Sequence, residues 1–142
     1  MTDTTSFPKR HAISRAQFFL EQADKCTVDE RDAFECYLEA AIVFGRTAIH
    51  RLQSQYEKHP NWRAWFASLR SDPVINFFRH HRDFILKEGP PRVGQIITFN
   101  STSKASELYY FEDPNTPAIV TVQRNLEVLA EMMANAEKEF SG

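Results

Sequence analysis

The stretch Pro117–Phe140, "PAIVTVQRNLEVLAEMMANAEKEF", decides the fold class. Ile119, Val122, Leu126, Leu129, Met133, Ala136 and Phe140 follow one another at alternating steps of three and four. That spacing gathers apolar side chains on one stripe of an α-helix. Thr116 and Pro117 suit the N-cap and first helical positions. A seam of about three heptads in a chain of globular composition reads as a bundle helix turned toward a core.

Working back along the chain, the same period returns three times. Ile13, Ala16, Phe19/Leu20 and Ala23 mark a first helix over about Pro8 to Cys26. Thr27 and Glu30 have the spacing of a capping box, each able to satisfy an amide that the first turn leaves orphaned. The helix they open carries Phe34, Leu38, Ala41, Phe44/Gly45, Ala48, Leu52 and Tyr56. Gly45, costly in mid-helix by about 1 kcal/mol, is expected to let a neighbouring helix backbone come close. After "HPNW", Trp62, Trp65, Phe66 and Leu69 form a short amphipathic lid. Asp72 as cap and Pro73 at the first position then start a third long helix. It ends at Gly89-Pro90-Pro91, where glycine can turn left-handed and proline cannot continue. Its apolar stripe is Val74, Phe77/Phe78, His81 and Ile85, with Arg82 at the border.

"QIITFN" and "LYYFE" differ from all of this, being runs of β-branched and aromatic residues joined by the polar "STSKAS". They predict a β-hairpin over about 95–112, laid against the helices because two strands alone are marginal. The expected fold is therefore all-α: an antiparallel four-helix bundle with a helical lid and a small β-hairpin insertion before the last helix. All 142 residues are expected to form this one domain.

The totals bound the function. A formal charge of −2 predicts no polyanion partner from bulk charge, so any nucleic-acid contact must come from a local patch. No apolar run approaches the roughly 20 residues needed to span a membrane. The start, "MTDTTSFPKRHAISR", lacks the order of a signal peptide. With two cysteines, Cys26 and Cys36, and no paired metal-ligand motif, a cytoplasmic location with reduced, mostly buried thiols is expected.

Most catalytic chemistries lack their residues. There is no HExxH motif, and adjacent His80 and His81 point about 100° apart on a helix, a poor arrangement for one ion. No metal or cofactor is expected. No Gly-x-Ser-x-Gly elbow is present, and four glycines supply no phosphate-cradling loop. No DNA sequence-recognition motif is present either. Arg46 and His50, four apart, share a helix face that suits either an anion or a surface pair. What remains is local charge. Arg70 to Arg92 holds five Lys/Arg against three acids, whereas from Glu107 onward seven acids face Arg124 and Lys138.

"DPVINFFRHHRDFILKEGPP", with the helices around it, resembles the HEPN superfamily (higher eukaryotes and prokaryotes nucleotide-binding) over about Ala33 to Pro91. In that family an Arg, a polar residue, a few spacers and a His lie toward the end of the third-helix region. "RDFILKEG" carries the match: Arg82 takes the Arg position and Asp83 the polar one. Lys87 stands where the His would follow. The resemblance implies the helical fold, a homodimer and a basic cleft, with metal-independent cleavage of RNA in active members.

Lysine, with an ordinary pKa of about 10.4, holds phosphate well but shuttles protons poorly at pH 7. The expectation is thus a non-catalytic protein of toxin–antitoxin or defence type. It would bind RNA or a protein partner through Arg79, His80, Arg82 and Lys87, with Asp83 orienting Arg82. Two alternatives stand beside it. One is a degenerate ribonuclease using Arg82, Asp83 and Lys87, or a nearby histidine. The other is an interaction module acting through Trp62 and Trp65 or the hairpin.

Overall fold

A computed structural model describes residues 11–69, 71–88, 94–95, 109–111, 113 and 115–140; for 82–88 it describes the helical backbone and not the side chains. The chain is predominantly helical. Its elements are α1 (His11–Lys25), α2 (Arg31–Tyr56), α3 (Trp62–Ala67), α4 (Pro73–Glu88), β1 (Gly94–Gln95), β2 (Tyr109–Tyr110) and α5 (Ala118–Phe140). α1 packs along α2 and also meets α5, while α4 packs against α2 and α5. One core results, built from the stripes the periodicity marks. Its largest fully buried side chains are Phe34, Leu38, Ile42 and Ile49 of α2, Phe78 of α4, and Val122, Leu126 and Leu129 of α5.

Each helix start has a local cause. Before α2, the Glu30 carboxylate accepts the Thr27 N–H at 2.8 Å and the Thr27 hydroxyl at 3.1 Å. These bonds hold the Glu30 carboxyl below the usual range. They are half of a capping box. The Thr27 hydroxyl points at the carboxylate instead of capping Glu30 N–H, which bonds the Thr27 carbonyl in a turn. The helix proper therefore opens at Arg31, later than the sequence pattern suggests. Before α4, Asp72 Oδ1 accepts the Val74 N–H at 2.8 Å and caps as expected. Before α5, the Thr116 hydroxyl donates to Asp113 Oδ2 at 3.0 Å, and the Pro117 carbonyl takes the first helical bond, from Thr121 N–H. The helix thus begins one residue later than predicted, and Ala118 replaces Ile119 as its first buried residue.

Gly45 departs from expectation in an informative way. A Cβ built there would lie 2.4 Å from Cε1 and 2.6 Å from Cδ1 of Phe78. The glycine seats an aromatic ring of α4, not a neighbouring backbone. Phe140 closes one end of the core. Tyr56, His59, Trp62 and Trp65 surround its ring at centroid distances of 5.4, 4.8, 5.7 and 5.3 Å.

Gly94 pairs with Tyr110 and Gln95 with Tyr109 in antiparallel register, and Tyr110 also bridges Pro117. The predicted strands lie mostly in 96–108, outside the described residues. The two cysteines are free thiols in opposite settings. Cys26 is buried, with its pKa pushed up by burial and then by the nearby Glu30 carboxylate, whereas Cys36 is exposed. No described helix is long and apolar enough to cross a membrane.

Candidate functional site

α4 divides its side chains cleanly. Val74, Ile75 and Phe78 are buried against α2 and α5, and Arg79 and His80 are exposed on the far side. With Phe78 locked over Gly45, the rotation of the helix is fixed, and with it the direction of the charged face. Arg79 donates from Nη2 to the side-chain oxygen of Asn76 at 2.8 Å, one turn back. That partner is neutral. Among the described residues Arg79 makes no ion pair, and this hydrogen bond orients its guanidinium.

The backbone of α4 continues through Arg82, Asp83 and Lys87, whose side chains lie outside the described residues. Helical spacing puts positions 79, 83 and 87 on successive turns of one face. Position 82 falls in register with Ile75 and Phe78, at the edge of the buried stripe, as its place beside that stripe in the sequence suggests.

His81 belongs to a different environment from His80. Its ring lies 4.6 Å from Phe77 and 4.8 Å from Phe111, centroid to centroid. Nδ1 is buried without a hydrogen-bond partner among the described residues. Burial, and then repulsion from His80, lowers its pKa to about 4. The imidazole is neutral at pH 7 and is no phosphate ligand. The two adjacent histidines thus divide between solvent and an aromatic cluster. Phe111, far off in sequence and 5.5 Å from Phe77, could not be foreseen as its third ring.

Other candidate residues are absorbed by packing. Trp62 is buried, stacked at 5.1 Å on Phe66, so the lid spends its aromatic surface on the end of the core. Arg46 and His50 each have an interaction partner. Among the described residues no group of three or more His, Cys, Asp or Glu could hold a metal ion.

One surface feature was missed by periodicity. Phe18 is 53% exposed, edge-on to Phe19, which stacks between Tyr37 at 6.3 Å and Phe44 at 5.7 Å. The signal was available: Phe18 falls off the apolar stripe of α1 and so had nowhere to be buried. No protein-family model, no curated protein and no solved structure matches the chain.

Proposed function

We propose that the chain is a HEPN-like four-helix-bundle protein that binds RNA phosphates on the solvent face of α4 without cutting the strand. Arg79 carries this reading. Its guanidinium is exposed and oriented by the neutral Asn76 amide on the solvent side of α4, where an incoming anion can reach it. His80 adds a second donor beside it, and Arg82 and Lys87 extend the cationic run along the same helix. In this reading Asp83 orients Arg82.

Catalysis is not part of the proposal. Proton transfer at neutral pH needs a group that titrates near 7. Lys87 occupies the position where the family motif places its histidine, and His81, neutral in its aromatic cluster with a pKa of about 4, is a poor substitute. The homodimer implied by the resemblance is retained as part of the proposal, with light scattering as its check.

The test is incubation of the purified chain with mixed RNA in EDTA at two salt concentrations, wild type beside Arg79→Ala and Arg82→Ala. Intact RNA retained at low salt, with retention weakened in the variants, is the expected result. Cleavage that disappears in Arg82→Ala would instead establish a working ribonuclease. Absence of both would leave a protein partner for this face.

A further inference from the structure

Between α1 and α5 runs an open groove of about 350 Å³. Leu20, Ile119 and Val120 give it an apolar lining. Around them stand Glu21, Asp24 and Glu127, against the single cation Arg124. The two large apolar side chains that the described residues leave exposed sit on the same two helices, outside the lining of the groove. Phe18, 53% exposed, lies one turn before Glu21, and Val128, 39% exposed, lies one turn after Arg124. Ile119 belongs to the apolar period of α5, packs partly buried against the core and also lines the groove.

We propose that this groove docks an amphipathic segment of another polypeptide, with apolar side chains along one stripe and Lys or Arg on either side. A trough between two helices with Leu20, Ile119 and Val120 in its lining suits a third helix laid into it. The surplus of carboxylates selects the sign of the partner's flanks. Nucleic acid and anionic lipid headgroups would meet like charge here. A second copy presenting the same groove would set Glu21 and Glu127 against their own counterparts. The site is independent of the α4 face. α1 carries no part of that face, and the charge it seeks is opposite.

The test uses two labelled peptides of about four helical turns, roughly 15 residues. Both carry one leucine stripe, flanked in one by lysine and in the other by glutamate. Fluorescence anisotropy against the full chain is expected to show binding of the lysine peptide only. Val120→Ser, a change at a half-buried lining position, should weaken it about tenfold. In Glu21→Lys/Glu127→Lys the preference should reverse toward the glutamate peptide, an outcome that misfolding cannot produce. Arg79→Ala should leave peptide binding unchanged, which separates this site from the RNA reading. Equal binding of both peptides, binding of neither, or an unreversed preference in the double variant would overturn the proposal. So would a dimer that Val120→Ser abolishes, since a second copy would then be the occupant.

Discussion

Gly45 and Phe78 show how one missing side chain fixes a helix. The ring occupies the volume of the absent Cβ, so Gly45→Ala must push a fully buried ring aside. Overpacking of this kind costs about 1–3 kcal/mol, against a gain of about 1 kcal/mol in helix propensity. Gly45→Ala should therefore lower the melting temperature. In a Phe78→Leu background the same alanine should be neutral or stabilising, and a double-mutant cycle reads the coupling. His81 gives a second residue-scale prediction. Its folded pKa of about 4 lies below the unfolded value of about 6.5, so between these limits the unfolded chain binds more protons. The stability its neutral form contributes is complete above pH 6.5 and is lost as pH falls toward 4. Urea midpoints of wild type and His81→Phe should accordingly diverge in that window, with the variant the flatter. The sequence already placed His81 on the apolar stripe and Gly45 at an inter-helix contact. It could not name Phe78 or Phe111 as partners, because periodicity tells which face is buried and not what it meets.

At the scale of elements, the aromatic cap joins three pieces of chain that would otherwise end loosely: the last turn of α2, the six-residue α3 and the last residue of α5. A helix as short as α3 is not stable by propensity, so its order depends on Phe140. Phe140→Ala should cost about 3 kcal/mol, toward the lower end for a buried phenylalanine because the site is at the bundle's end. It should also shift Trp62 and Trp65 fluorescence to the red before global unfolding. An unchanged spectrum would mean that α3 is held by other contacts. The seven-residue seam ending at Phe140 made the terminus of α5 legible in the sequence. Helix starts were less so, since Thr27 and Thr116 each had a hydroxyl to spend and a nearby carboxylate to spend it on. Both helices consequently begin later than their capping residues suggest.

At the scale of the molecule, α4 carries Arg79, Arg82 and Lys87 along its sequence, and the groove between α1 and α5 sets Glu21, Asp24 and Glu127 against Arg124. The imbalance was visible in the counts along the chain. The groove was not, because it needs residues from α1 and α5, far apart in the sequence. On this account the two faces attract partners of opposite sign, and RNA is the partner of α4. The measurement that tests this most directly is the salt dependence of RNA affinity for wild type and Arg79→Ala. The account predicts that log K falls linearly with log salt, and that Arg79→Ala weakens binding across sequences and lowers the slope by about one. RNA affinity indifferent to salt, or a slope unchanged when Arg79 is removed, would contradict it.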